Sequence, residues 1–416
     1  MLTRLFRIPE IRNGLLFILF VVTVFRIAAH IPVPGIDPAS LESLLSGNQF
    51  LGLLNVFSGG TLKSFSVVAL GVAPYITASI IFQLLGMIFP SIEEMQKENQ
   101  GREKLNRYTR IATVPLAFLQ GFSLITLINK QSGLDIHGFG LLATLVTMTT
   151  GTLFLMWLGE LISEKKMGNG MSIIIFAGIV ASLPGYVGQL LATYTQDDLV
   201  TVIVFAAAMV ASIAGVVLVS EAQRNLPVQY ARGGYAGGGT KVTSTLPLRV
   251  NMGGMIPIIF ALSLIVLPPL VAQFFVDART AIVGDIAAGV IKLFNNGAFY
   301  GITYFVLVVA FTFFYASIVF RPDQVAENLQ KQGGFIPGVR PGVQTAEYLQ
   351  WVVNRILLAG AVFLAVIAVA PVVMQEITGN ASLVVGGSSI IIVVSVVIDI
   401  VKQIEAQLTM RSYDVS

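Results

Sequence analysis

Thr61-Leu62-Lys63-Ser64-Phe65-Ser66-Val67-Val68-Ala69-Leu70-Gly71-Val72-Ala73-Pro74-Tyr75-Ile76-Thr77-Ala78-Ser79-Ile80-Ile81-Phe82-Gln83-Leu84-Leu85-Gly86-Met87-Ile88-Phe89 is an almost unbroken apolar run. As one straight helix it would be about 43 Å long, whereas a bilayer hydrocarbon core is about 30 Å thick. Gly71 and Pro74 interrupt it. The run therefore divides into a short helix near 61–70, a break, and a full membrane span from about residue 72. Lys63, Ser64 and Ser66 make the short piece unsuited to lipid. Two readings of it stand: a re-entrant helix buried in protein or lining a cavity, or a helix lying on the outer membrane surface.

Outward from this stretch the chain repeats one theme. Apolar segments near 20 residues long predict ten spans, at about 14–31, 72–89, 111–129, 139–159, 172–192, 200–220, 252–274, 298–320, 352–374 and 386–404. Only 11% of the residues are charged, well under the roughly 25% of a soluble domain, so lipid must cover much of the surface. The first span ends at Ile31-Pro32-Val33-Pro34-Gly35 with no small-residue cleavage site after it. It reads as a membrane helix rather than a cleaved leader.

Charge sets the orientation. With the N-terminus inside, the cytoplasmic segments hold all but five of the 25 Lys and Arg residues; only Arg26, Lys63, Lys130, Arg279 and Lys292 fall outside. That asymmetry places both termini in the cytoplasm. Ten spans divide into five and five, and because five is odd the second half enters the membrane inverted, as in many transport proteins. The expected halves are 1–195 and 196–416. Two cytoplasmic loops, 221–251 and 321–351, are long, polar and basic. They suggest a docking face, or else they only fix topology. The Gly-rich run Gly233-Gly234-Tyr235-Ala236-Gly237-Gly238-Gly239 is not read as a phosphate loop, since no strand is expected before it and no helix after it.

Several function classes are excluded. There is no cysteine, only His30 and His137 are histidines, and no HExxH pair, GxSxG elbow or GxxxxGK[ST] loop occurs. An intramembrane enzyme would need such a dyad or metal site. A secondary transporter would need an ionisable site near the midplane, and the helix centres carry almost no charge. Asp399 has Lys402 and Glu405 close behind it, so it reads as an interfacial residue rather than a proton relay. The chain is expected to be no enzyme and to take no cofactor.

Five segments together carry a resemblance: Pro74-Tyr75-Ile76-Thr77-Ala78-Ser79-Ile80-Ile81; Trp157-Leu158-Gly159-Glu160; Gly168-Asn169-Gly170-Met171-Ser172-Ile173-Ile174-Ile175-Phe176-Ala177-Gly178-Ile179-Val180; Leu246-Pro247-Leu248-Arg249-Val250-Asn251; and Gly333-Gly334-Phe335-Ile336-Pro337-Gly338-Val339-Arg340-Pro341-Gly342. In order and placement they resemble the bacterial SecY family, channel subunits of the Sec protein translocase. The resemblance covers essentially the whole chain. It implies an all-α integral membrane fold of ten transmembrane helices in two inverted five-helix halves, with a short re-entrant plug helix. The implied function is passage of unfolded secretory polypeptides across the bacterial cytoplasmic membrane and lateral release of membrane helices into it.

The resemblance also implies site residues. The plug falls near 58–70, on Ser58, Gly59, Gly60, Thr61, Leu62, Lys63, Ser64, Phe65 and Ser66. A constricting ring of apolar side chains falls on Ile76, Ile80, Met171, Ile175, Ile259 and Ile392. Such a ring excludes ions by dewetting, and the unbranched Met171 suits an adaptable gasket. Polar residues of a lateral gate fall on Thr77, Gln83, Gln120 and Asn251, between the second and third helices on one side and the seventh and eighth on the other. Docking of the motor ATPase SecA or of ribosomal RNA falls on Arg232, Lys241, Arg249, Lys331 and Arg340, with Arg340 on a Pro- and Gly-bounded turn. The implied partners are the SecE and SecG subunits, SecA, the ribosome, signal sequences with their nascent polypeptides, and membrane lipids. The 221–251 loop has fewer basic residues than many relatives, and the chain stops at Ser416 without their longer basic tail.

Overall fold

The computed structural model describes residues 9–33, 55, 58–62, 64–132, 137–166, 168–192, 199–230, 243–276, 280–378 and 381–414. In chain order the helices are α1 (Pro9–Ala28), α2 (Ala73–Ile88), α3 (Pro90–Lys97), α4 (Asn99–Ser132), α5 (Gly138–Glu164), α6 (Gly170–Ala192) and α7 (Leu199–Glu221), then α8 (Ile256–Phe275), α9 (Ala281–Phe294), α10 (Gly297–Val319), α11 (Pro322–Lys331), α12 (Val343–Thr378) and α13 (Ala381–Asp414). Leaving aside α3, α9 and α11, they match the ten expected spans. Prolines start several of them: α2, α3, α8 and α11 each carry Pro in the first two positions, where the missing N–H would have no helical partner anyway. Among the described residues α1, α4, α5, α8, α10 and α12 are long and apolar enough to cross a bilayer alone. The axes of α2 and α3 differ by 117°, so the chain leaves the bundle abruptly after Ile88. At 34 to 36 residues, α4, α12 and α13 are about 50 Å long and must project beyond the hydrocarbon.

The short helix expected near 61–70 is not there. The described residues from Ser58 to Val72 form a chain of turns. Gly59, Gly60, Phe65 and Gly71 all take positive φ, from 41° to 79°, and each such residue breaks a right-handed helical path. Hydroxyls supply the missing bonds: Thr61 Oγ1 donates towards the carbonyls of Ser58 (2.8 Å) and Val68 (2.9 Å), and Ser58 Oγ donates to Asn55 O at 2.9 Å. The segment is pinned to the chain leaving α1. Val33 N donates to Phe65 O, Val67 N donates to Ile31 O, and Ser64 Oγ donates to Ala29 O.

The two long loops also hold more structure than expected. Strands β1 (Gln223–Tyr230) and β2 (Thr243–Arg249) pair antiparallel from Gln223↔Arg249 to Gln229↔Thr243, and β3 (Gly334–Phe335) joins the other edge of β1. A strand therefore does precede the Gly-rich run, contrary to expectation. The run itself lies outside the described residues and separates β1 from β2 in the sequence. Alternation explains the sheet: Leu226, Val228 and Leu248 point inward, onto Leu329 of α11 and Leu349, Val352 and Val353 of α12. Both loops share this apolar centre, so they form one platform. Elsewhere the main core runs through α1, α2, α5, α6, α8, α10, α12 and α13. Leu19 and Phe20 of α1, Ile302 and Val306 of α10 and Val366 of α12 stay more than half exposed, as a lipid-facing perimeter requires.

Candidate functional site

Ile76 and Ile80 on α2, Met171 and Ile175 on α6, Ile259 on α8 and Ile392 on α13 are each at most 9% exposed and belong to one apolar cluster. Helical spacing explains half of this, since residues four apart share a face. The rest is packing. Gly159 of α5 and Gly170 of α6 touch backbone to backbone: a Cβ on Gly170 would overlap the Gly159 carbonyl, and one on Gly159 would meet Met171 Sδ at 2.7 Å. The two motifs holding these glycines thus set the depth of Met171. Ser163 Oγ completes the corner by accepting Gly170 N–H at 2.9 Å, and Arg110 ties α4 to Glu160 of α5 at 2.6 Å.

On one side of the cluster lies a cavity of about 230 Å³. Ile76, Met171, Ile175 and Ile259 form its apolar wall, and Tyr75, Ser79, Gln83, Asn169, Ser172 and Tyr315 add polar groups. Ile80 and Ile392 belong to the cluster but not to this wall. On the other side lies the turn segment. From the residue before α6 onward the order is Asn169 and Ser172 at the cavity, Met171 and Ile175 in the core, then Gly178 and Ser182 against the turns. A Cβ on Gly178 would overlap Gly59 Cα, and one on Gly60 would overlap Ser182 Oγ. On α5, a Cβ on Gly151 would overlap the Val67 carbonyl. The small residues of three elements let the turn segment enter the bundle. Leu62, Phe65 and Leu70 then pack on Leu124, Ile125 and Ile128 of α4 and Leu145 and Met148 of α5. Ser58, Thr61 and Ser66 are buried with them.

The predicted gate residues separate into three places. Gln120 of α4 donates through Nε2 to Thr77 Oγ1 of α2 at 3.3 Å, with both residues buried. Gln83 donates to Ser79 Oγ within α2 at 3.1 Å, facing the cavity. Asn251 is buried elsewhere, donating to Ser220 Oγ of α7 at 3.5 Å, while its Oδ1 has no partner among the described residues.

Two residues that the sequence reading did not select join the helices directly. Ser123 Oγ of α4 donates to the Leu270 carbonyl of α8 at 2.8 Å, and Phe122 stacks on Phe274 with ring centroids 5.3 Å apart. The available signal was Ser123 one turn beyond Gln120 on the same face. A void of about 20 Å³ lies beside this contact, bounded by Leu62 and Leu70 of the turn segment, Gln120 and Leu124 of α4, and Leu270.

Of the predicted docking residues, Arg249 ends β2 and is exposed. Arg340 is also exposed, on a turn with Gly338 at φ 84° and Gly342 at φ 97°. Thr345 Oγ1 donates to the Arg340 carbonyl at 2.8 Å, fixing that turn to α12. Lys331 pairs with Glu327 at 2.6 Å, and this hydrogen bond, with the lysine charge, holds the exposed Glu327 carboxyl below its usual range. Lys63, Arg232 and Lys241 lie outside the described residues.

The arrangement is thus a buried apolar core beside a cavity, with no metal-holding group of side chains among the described residues. The sequence profile of the SecY family matches residues 66–401. Protein translocase subunit SecY of Streptomyces galbus is 42% identical over 438 aligned positions, covering 99% of this chain and 98% of the relative. Among solved structures, a protein-conducting channel matches with a TM-score of 0.67 at 16% identity, over 94% of this chain and 91% of that one. The Sec61 channel of the canine ribosome–channel complex from the endoplasmic reticulum matches with a TM-score of 0.62, also at 16% identity and over 94% of this chain and 91% of that one. A helical membrane fold, a profile match over most of the chain and a relative alike end to end lead to one conclusion: the chain belongs to the SecY family of protein-translocation channel subunits.

Proposed function

We propose that Ile76, Ile80, Met171, Ile175, Ile259 and Ile392, six residues of the main apolar core, form the closed constriction of the channel, that the turn segment 58–70 is its plug, and that the pathway runs between halves 1–195 and 196–416. One observation carries this reading. Ile76 of α2, Met171 and Ile175 of α6 and Ile259 of α8 meet in the apolar wall of one cavity, and the turn segment is tightly seated on α6 beyond them. An unstructured polypeptide would enter by the cavity, part the flexible side chains and displace the segment. Dispersion and dewetting close the passage again. The gate between α2/α4 and α8/α10 is the lateral exit for signal helices and membrane segments. Its polar contacts are weak enough to yield to an apolar helix.

The charge asymmetry supports cytoplasmic termini in a bacterial cytoplasmic membrane, with the β1–β2 hairpin and the Arg340 turn on the cytoplasmic face. That platform is the docking surface for SecA and for ribosomal RNA, through Arg249, Lys331 and Arg340 together with Arg232 and Lys241; the similarly folded Sec61 channel comes from a ribosome–channel complex. SecE and SecG partners would cover part of the apolar perimeter.

The test is resting ion conductance of the chain co-reconstituted with SecE- and SecG-type partners. Ile392→Asn puts an amide in the cluster, where a hydrated group has no reason to dewet. Deletion of residues 61–68 removes the second barrier. Each change should raise the leak, and the double change should leak most. Val397→Asn is the control, because Val397 lies on the same helix but is 42% exposed. Equal leak from Ile392→Asn and Val397→Asn, or no leak from either, would remove α13 from the constriction.

A further inference from the structure

Between the spans expected at 252–274 and 298–320 the chain forms the 14-residue helix α9. At 100° per residue its side chains separate into two arcs. Asp285, Ala288, Lys292 and Ala281 share one arc, and Asp285 and Lys292 are the only charged residues of the helix. Ile282, Ile286 and Leu293 share a second arc, about 100° round the axis from the first, and they are 70%, 63% and 47% exposed. Only Ala287 is buried. The remaining edge holds the helix to the bundle. Gly284 lies against the Val276 carbonyl at the end of α8, where a Cβ would approach to 3.1 Å, and Phe294 meets Phe299 of α10 edge-on at 5.2 Å.

We propose that α9 is an interfacial anchor whose Ile282–Ile286–Leu293 stripe lies among the lipids of the outer leaflet, at the boundary of headgroups and acyl chains. Three observations commit the stripe to lipid. Both neighbours of α9 are membrane spans, so connectivity alone puts the helix at the bilayer surface. The exposed apolar surface continues along the chain, from Val271 and Phe275 on the outer end of α8, through the stripe, to Ile302 and Val306 on α10. The two charges sit where an interfacial helix turns to water, with Lys292 in the last turn, favourable both for the helix dipole and for lipid phosphate. If α8 and α10 are the gate helices proposed above, the anchor holds their outer ends at one depth while the gate opens. The lipid contact itself does not depend on that reading.

The chain has no cysteine, so a single introduced thiol carries a spin label at one position only. Labels are placed through Ile282→Cys, Ile286→Cys, Asp285→Cys and Lys292→Cys in the full complex, in phosphatidylethanolamine/phosphatidylglycerol vesicles. Collision with oxygen, which concentrates in lipid, is measured against collision with a water-soluble nickel chelate. Positions 282 and 286 should favour oxygen, and positions 285 and 292 should shift to the nickel chelate. Nickel access at all four would mean the helix stands free in water. Shielding of 282 and 286 from both reagents would mean a protein partner or a second copy covers the stripe. Either result overturns the proposal.

Discussion

Ser123→Ala removes the one hydroxyl that crosses from α4 to α8, the 2.8 Å bond to the Leu270 carbonyl. The carbonyl is not orphaned, because it lies inside α8 (Ile256–Phe275), where the amide four residues on is its normal donor. The change therefore costs only the interhelical bond. Such bonds within membranes average about 0.6 kcal/mol, which corresponds to roughly a threefold change in a two-state equilibrium. If Ser123 helps to hold the side gate shut, Ser123→Ala should raise the open population by about threefold. Ser123→Thr keeps the hydroxyl and should behave as wild type. The assay is export of a reporter whose signal sequence has been shortened in its apolar stretch, measured beside the intact signal. The expected outcome is a gain for the weak signal with Ser123→Ala, little change for the strong one, and no gain with Ser123→Thr. A further arm tests the gate itself: Phe122→Cys with Phe274→Cys, joined by a short thiol crosslinker, should arrest export. If the crosslinked channel exports normally, the exit is not between α4 and α8. If crosslinking arrests export but Ser123→Ala leaves the signal threshold unchanged, the gate stands and the hydroxyl does not hold it.

Two further outcomes follow from the same geometry. Gly178→Ala would drive a methyl into the Gly59 backbone. Overpacking of this kind costs about 1–3 kcal/mol, and it should unseat the turn segment before it unfolds the bundle. Resting leak and acceptance of weak signals should both rise while the purified complex keeps its helix content; an unchanged leak would mean the segment does not seal. Arg340→Glu reverses charge on the exposed turn before α12, so SecA-driven translocation should fall sharply. Membrane assembly should persist, since exposed substitutions rarely shift stability by more than about 0.5 kcal/mol; normal SecA-driven export would remove Arg340 from the docking surface.

The spans, and the asymmetry of basic residues between them, were legible in the sequence because both depend on properties local to the chain. A segment must be apolar for about 20 residues to cross a bilayer, whatever surrounds it. The same rule explains what was not legible. Inside a membrane, apolar residues face lipid, neighbouring helices or a closed passage alike. Ile392, 2% exposed, and Val397, 42% exposed, look the same in the sequence. Only the resemblance marked Ile392, and only packing buried it in the same core as Ile76, Met171 and Ile259. The turn segment was misread as a helix for a related reason. Its composition suits a helix, but its conformation is set by Gly59 against Gly178, by Val67 against Gly151, and by backbone bonds to Ile31 and Val33. The hairpin was missed because its strands bury their alternate residues against α11 and α12, more than 70 residues further along the chain. Ser123 was passed over because a serine in a membrane helix usually satisfies itself within its own turn, as Thr113 and Thr126 of the same helix do. Its donation to α8 comes only from the approach of two helices 147 residues apart in sequence. The sequence determined which segments are apolar and long enough to enter the membrane and how the basic residues divide between the segments that join them. The tertiary structure decided which of their equally apolar faces meet, because that choice depends on shape and close approach, which hydropathy does not record.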